Sequence, residues 1–258
     1  MSNKGIIEST QEPTGLALED HTKSIINKYK FSDMSNPSTF HKGNYNLFYF
    51  NSPEFFMIPQ SEIIGKKKLI YHINNNPSQQ AFYEGEVNKF NQRHGLGTIK
   101  EPNCTKIGQW RNNQFSGWGR VIKNNGQVFE GKFNNHILSG KGIYKFKDVL
   151  YVGTFENGIR QGKGVLLTDN FKYEGQFNGG KIDGYGKIVF LGSNVLECEY
   201  EGTFRQNNIE GNGIMKWKNG NMYQGEMKNG KMNGRGRFIP KDGIPIDGVF
   251  KDNVKVNT

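Results

Sequence analysis

The sequence predicts an all-β protein: an elongated, single-layer antiparallel sheet of stacked β-hairpins with an irregular N-terminal cap. Three features carry that expectation. Glycine is abundant and unevenly placed, with 34 Gly among 258 residues, four of them in residues 1–82 and thirty in residues 83–258. The glycines also recur: Gly85, Gly108, Gly131, Gly153, Gly175, Gly202, Gly225 and Gly248 stand 23, 23, 22, 22, 27, 23 and 23 residues apart. Around them apolar residues alternate in steps of two, the period of a strand whose side chains point to opposite faces. Composition agrees. Hydrophobic residues make up 34% of the chain and aromatic residues 13%, too few aliphatics for a helical bundle and too many rings for a disordered chain.

Residues 1–40 read as a polar extension with one amphipathic stretch, Leu16–Tyr29, where Leu18, Ile25, Ile26 and Tyr29 suggest a short helix. Residues 41–82 differ. Just after Phe40, Tyr45, Phe48, Tyr49, Phe50, Phe55 and Phe56 crowd together, followed by Leu69-Ile70-Tyr71. A stack of repeats needs its exposed first unit covered, so this segment is expected to be the cap. The alternative is a segment that orders only on a partner.

From residue 83 the chain reads as seven repeats and a terminal half, ending near residue 252, with a tail over 253–258. Two residues before each leading glycine stand Tyr83, Lys106, Phe129, Tyr151, Tyr173, Tyr200, Tyr223 and Ile246. Two residues after it stand Val87, Trp110, Phe133, Phe155, Phe177, Phe204, Met227 and Phe250. A Gly-x-Gly follows in each of the seven repeats, from Gly95/Gly97 to Gly234/Gly236, and leads to an apolar residue of the same parity, from Ile99 to Phe238. Each repeat is therefore two short strands joined by a polar turn such as Glu156-Asn157-Gly158. Glycine weakens a strand, but a single-layer sheet has no second sheet to bury its rings. A missing Cβ lets a ring lie flat on the backbone instead. The expected core is Tyr83, Gly85, Trp110, Phe133, Tyr151, Phe155, Tyr173, Phe177, Tyr200, Phe204 and Tyr223.

The stretches Tyr151-Val-Gly153-Thr-Phe155-Glu-Asn-Gly158-Ile-Arg-Gln-Gly162-Lys-Gly164 and Tyr223-Gln-Gly225-Glu-Met227-Lys-Asn-Gly230-Lys-Met-Asn-Gly234-Arg-Gly236 resemble MORN repeats (membrane occupation and recognition nexus). The resemblance covers residues 83 to about 252. Lys106, Ile246, Val87 and Met227 depart from the aromatic pattern, and a short insertion falls near residues 192–199. The family resemblance implies antiparallel hairpins stacked into a twisted sheet, and a setting in cytoskeletal assemblies or membrane–cytoskeleton junctions, ciliary radial spokes among them.

Motifs for chemistry are weak. Gly175–Lys181 and Gly225–Lys231 mimic a phosphate-binding loop, yet Ile182 and Met232 replace the magnesium-binding hydroxyl, and strands stand where a helix N-terminus is needed. His21, His41, His72, His94 and His136 are scattered, without partners at metal-ligand spacing. His94 and His136 fall in turns and are expected to be solvated. Cys104 and Cys198 sit in loops between repeats without a histidine in register. Asn103-Cys104-Thr105 matches a glycosylation acceptor, but no secretory signal accompanies it. No enzyme, cofactor or metal is expected, nor a transmembrane segment. A cytoplasmic, cytoskeletal location is expected, the ciliary axoneme first.

The net charge is +10, of which residues 83–258 carry +9, with 26 Lys and Arg against 17 Asp and Glu. On the face opposite the glycines, acidic first strands (Glu84/Glu86, Glu130, Glu174, Glu201) alternate with basic second strands (Lys100, Arg120, Lys141, Lys163, Lys187, Lys216, Arg235/Arg237). Cross-strand pairing then breaks up any single-sign stripe. That argues against nucleic acid, whose single-stranded form also needs an aromatic ladder. The same face holds Trp118, Ile122, Ile143, Val165, Leu167, Tyr185, Val189, Ile214 and Ile239, an apolar band expected to dock protein partners. The functional expectation is a non-enzymatic scaffold within a larger assembly. The alternative is a peripheral adaptor that binds anionic phospholipid through its basic strands, Lys66-Lys67-Lys68 included.

Overall fold

The computed structural model describes residues 59–73, 76–191 and 198–256. The candidate helix at Leu16–Tyr29, the ring-rich stretch up to residue 58 and most of the insertion lie outside those residues. After a 3-10 turn at Gln60–Glu62, the described chain is strand throughout. The strands are β1 (Gly65–Ile73), β2 (Asn76–Val87), β3 (Arg93–Lys100), β4 (Cys104–Arg111), β5 (Gln114–Lys123), β6 (Val128–Asn134), β7 (Ile137–Phe146), β8 (Val149–Glu156), β9 (Ile159–Leu167), β10 (Phe171–Asn178), β11 (Lys181–Phe190), β12 (Cys198–Arg205), β13 (Asn208–Trp217), β14 (Met222–Lys228), β15 (Lys231–Ile239), β16 (Ile246–Lys251) and β17 (Val254–Val256). Each pairs antiparallel with its sequence neighbour. The result is one open, seventeen-stranded meander.

Two strands lie beyond the glycine pattern. Strand β1 pairs with β2 from Gly65↔Val87 to Ile73↔Asn76 within the stretch read as a cap, and β17 closes the other end within the tail. No glycine marks Lys66–Ile73, so the repeat has nothing to register there. The alternation does: Leu69, Tyr71 and Ile73 pack on the core.

Two local rules hold the register. From the second repeat on, the two strands of each hairpin join through a two-residue turn whose residues both lie in the left-handed region. Asn112-Asn113 has φ of 47° and 69°, Asn157-Gly158 49° and 80°, and Gln206-Asn207 49° and 72°. Such turns match the right-handed twist of the strands, and asparagine and glycine tolerate them best. The second turn residue then donates its N–H to the repeat before it. Asn113 bonds the Arg93 carbonyl, His136 that of Phe115, Gly158 that of Leu138, Gly180 that of Arg160, Asn207 that of Ile182, Gly230 that of Ile209 and Asn253 that of Met232, at 2.8–3.1 Å. A seam of hydrogen bonds thus runs along the turn edge from repeat to repeat.

The second rule is the glycine layer. Tyr83, Tyr151, Tyr173, Tyr200 and Tyr223 are all fully buried, each lying over a cross-strand glycine pair. Beneath Tyr151 the pair is Gly153 and Gly164, and a Cβ on Gly164 would stand 2.6 Å from the Tyr151 Oη. Each of these hydroxyls donates to the carbonyl three residues on, at 2.7–3.2 Å, so none of the five phenols is buried without a partner. Rings also meet edge to face: Tyr151 touches Phe177 with centroids 4.9 Å apart, and Tyr173 touches Phe204 at 5.1 Å. Trp110, Phe133 and Phe155 are buried in the same layer. Where the leading tyrosine is absent, the other strand supplies the cover. Phe115 lies over Gly119 in the Lys106 repeat, and Leu138 over Gly131 and Gly142 in the Phe129 repeat.

One glycine in each repeat serves the backbone itself. The first of each Gly-x-Gly, from Gly95 to Gly234, has φ between +68° and +107° and sits at the register shift that each even strand from β2 to β14 makes with the strand after it.

Cys104 opens β4 and Cys198 opens β12, eight strands on, and both thiols are free. At ~4.8 Å per strand they stand roughly 38 Å apart, whereas a disulfide needs Cα atoms within ~7 Å. Oxidation of the folded monomer is expected to give no Cys104–Cys198 bond. Mass spectrometry that found this crosslink in native monomer would exclude an open meander.

Candidate functional site

The glycine face is filled by the fold, so the opposite face is where a partner can be met. Registration places its side chains in cross-strand rows. One row runs through Ile107, Arg120, Glu130, Ile143, Val152, Val165, Glu174, Lys187, Glu201 and Ile214, each opposite the next.

Along that row the face divides in two. Over β5 to β9 most of its apolar side chains are covered: Trp118, Ile143, Val165 and Leu167 are buried, as are Leu150 and Val152, while Lys132, Lys141 and Lys163 stay exposed, and this stretch is the closed part. Arg120 and Glu130 form an ion pair there, and both are buried. Over β10 to β15 the face is open. Tyr185 is 55% exposed, while Val189, Ile214 and Ile239 are half-buried, as is Ile122 back on β5. The nine residues read as one uncovered band therefore do not form one. Leu150 and Val152 belong to the closed part although the sequence reading omitted them. Their signal was present, since Val152 stands where neighbouring repeats carry Glu130 and Glu174.

The open part has a defined relief. Beside Tyr185 lies a hollow of about 660 Å³ floored by Gly164, Gly175 and Gly186 and flanked by Lys163, Lys172, Lys187, Glu174 and Glu201. The Tyr185 N–H donates to Gln176 Oε1 at 3.0 Å, and its Oη donates to Glu201 Oε1 at 3.0 Å. That second bond to a carboxylate raises the Tyr185 pKa, so the ring stays a neutral phenol.

Several charges on the open part are paired. Glu199 lies between Lys187 Nζ at 2.7 Å and Lys216 Nζ at 3.3 Å, and the hydrogen bond from Lys187 holds its carboxyl below the usual carboxylate range. Arg237 grips Asp247 through two hydrogen bonds of 2.7 and 2.8 Å. Positive and negative groups alternate across neighbouring strands, as the acidic and basic strands of the sequence imply.

Catalytic groupings are sparse. Among the described residues no group of three or more His, Cys, Asp or Glu could hold a metal, and no helix is long and apolar enough to cross a membrane. His94 is a correction: it is buried, not solvated. The turn at Gln60–Glu62 brings Glu62 to 3.1 Å from its Nε2, and Asn112 Oδ1 lies 3.1 Å from its Nδ1. Arg93 and Arg160, at the positions that hold Phe115 and Leu138 in other repeats, stack on rings. The Arg93 guanidinium lies 4.6 Å from Trp110, and that of Arg160 lies 5.5 Å from Phe177.

The MORN repeat family matches the chain at residues 83–101, 107–128, 129–148, 151–170, 173–190, 200–222 and 223–243. Those seven matches cover more than half of the sequence, and the chain belongs to the MORN-repeat family. None of the curated proteins compared with it matches.

Cys104 offers a check on the chemistry. Its Sγ donates to Glu101 Oε2 at 3.2 Å, and burial, reinforced by that carboxylate, pushes the thiol up to about 11. The thiol therefore stays protonated until pH approaches that value, and at pH 8 it carries on the order of a hundredfold less thiolate than an unperturbed cysteine. Iodoacetamide labelling followed by mass spectrometry is expected to be slow at Cys104 in the folded protein and fast after denaturation. Rapid native labelling at neutral pH would contradict this geometry.

Proposed function

We propose that this MORN-repeat protein is a non-enzymatic scaffold that docks protein partners along the face opposite its glycine layer. The observation that carries the reading is Tyr185. Its ring stands 55% exposed at the edge of the hollow, its Oη tied to Glu201 and its backbone N–H to Gln176. An aromatic ring fixed before binding makes a good anchor, because little side-chain entropy is lost when a partner covers it. Half-buried Val189 and Ile214 extend the apolar surface, and the Lys187–Glu199–Lys216 triplet gives it a polar rim.

Paired charge favours a protein partner over a lipid surface. An anionic membrane is met by clusters of about 4–8 basic residues acting together, and here Lys187, Lys216 and Arg237 each face a carboxylate. From the family resemblance we place the scaffold in a cytoskeletal assembly, with the ciliary axoneme as its first setting.

The test uses the full chain with Tyr185→Ser and Ile214→Ser combined. Both residues lie outside the glycine-face core, so the sheet is expected to stay folded by circular dichroism. A partner retained by the parent protein at physiological salt is expected to be lost by the double variant. Co-sedimentation with phosphatidylserine and phosphoinositide vesicles is expected to be weak and abolished by salt. Strong vesicle binding at physiological salt that survives the double substitution would replace the protein scaffold with the lipid adaptor.

A further inference from the structure

On the closed part of the opposite face, Ile143, Val152 and Val165 are no more than 1% exposed, with Leu150 at 5% and Leu167 at 1%. Strands β7, β8 and β9 supply all five. Ile143, Val152 and Val165 face one another in one row, and Leu150 faces Leu167 in the next. Trp118, on the same face of β5, is 6% exposed. A single sheet supports such side chains from below and from the sides but leaves their outer ends in water. The open part of this face shows that outcome at Tyr185 and Ile214. Among the described residues Leu191 is the one partly buried hydrophobic residue packed against the five. The patch therefore carries a cover that the sheet does not provide. Burial of the Arg120–Glu130 pair beside it says the same, because an ion pair on a bare face stays hydrated.

We propose that the cover is the chain's own ring-rich segment, residues 40–58, which makes this patch an intramolecular docking site. Where the described chain begins is the first argument. Ile63 Cδ1 lies 3.0 Å from where a Cβ on Gly95 would stand, a place it shares with the Glu86 side chain. Glu86 belongs to the face opposite the glycine layer, so the chain enters β1 from the side on which the patch lies. Reach is the second. From β3 to β8 is five strand spacings, ~24 Å, and ten extended residues span ~33 Å, so chain running back from Pro59 reaches the patch near residue 49. Chemistry is the third. Residues 40–58 hold Phe40, Tyr45, Phe48, Tyr49, Phe50, Phe55 and Phe56 against only Lys42, Glu54 and His41 as titratable groups besides the tyrosines. Rings of that number suit a patch of aliphatic side chains and one indole.

The segment seals β5 to β9 and leaves β10 to β15 for partners, so the inference does not depend on the docking role given to Tyr185.

Photocrosslinking of the full chain tests the occupant. With Trp118→p-benzoylphenylalanine, irradiation is expected to join position 118 to peptides from residues 40–58 at monomer mass. Crosslinks only to a second copy, only to residues 59–256, or to nothing would overturn the proposal. A second measurement covers the case in which that variant fails to fold. In a Cys104→Ser/Cys198→Ser background, Val152→Cys is expected to resist maleimide. Adding Phe48→Ser, Phe50→Ser, Phe55→Ser and Phe56→Ser is expected to speed its labelling about tenfold or more while the sheet signal is kept. Equal labelling in both backgrounds, fast or slow, would overturn it.

Discussion

A ring can lie flat on a β-sheet only where the sheet carries no side chain beneath it. That steric constraint organises this protein. Five tyrosines sit on five cross-strand glycine pairs, and each hydroxyl donates to the backbone carbonyl three residues on. The layer so formed is one ring thick, yet it excludes water as a second sheet would. Each glycine loses packing and entropy in its own strand, and the gain appears in the ring above it. The arrangement is redundant, because Phe115 and Leu138 cover the pairs that Lys106 and Phe129 leave bare.

Spending one face on the fold frees the other. Seven local turns and a seam of turn-to-carbonyl hydrogen bonds fix each hairpin to the next without using the opposite face. That face is then divided, closed over β5 to β9 and open over β10 to β15. The open part carries a pre-positioned ring, an adjoining hollow and charges neutralised by their neighbours. An interaction platform needs stiffness and a readable surface, and the two requirements fall on separate faces.

The glycine period made the fold legible from sequence, because a 23-residue step ties every strand to its place in the meander. What escaped that reading lacks the glycine mark. Strand β1 has only an alternation, Leu69, Tyr71 and Ile73, and a single alternating run fixes no register. Phe115 and Leu138 went unnoticed because the same position holds Arg93 and Arg160 in other repeats, where an arginine stacked on rings replaces an apolar side chain. The opposite face was legible in its parity and not in its exposure. Alternation tells which side Val165 and Tyr185 share; it does not tell that one is covered and the other open. His94 shows the same limit, since one of its contacts, Glu62, arrives from outside the repeats.

The central claim is that over the open part, β10 to β15, stability resides on the glycine face, and neighbouring substitutions in β11 test it most directly. Gly186 and Lys187 are adjacent and point to opposite faces, and a Cβ on Gly186 would clash with the Tyr173 ring. Chemical denaturation of Gly186→Ala and Lys187→Ala full-length proteins compares them. The account predicts a loss of about 1–3 kcal/mol for Gly186→Ala, the scale of an overpacked core, and less than about 0.5 kcal/mol for Lys187→Ala, the scale of a surface change. Equal effects, or a larger one at Lys187, would contradict a ring-on-glycine layer as the source of the fold.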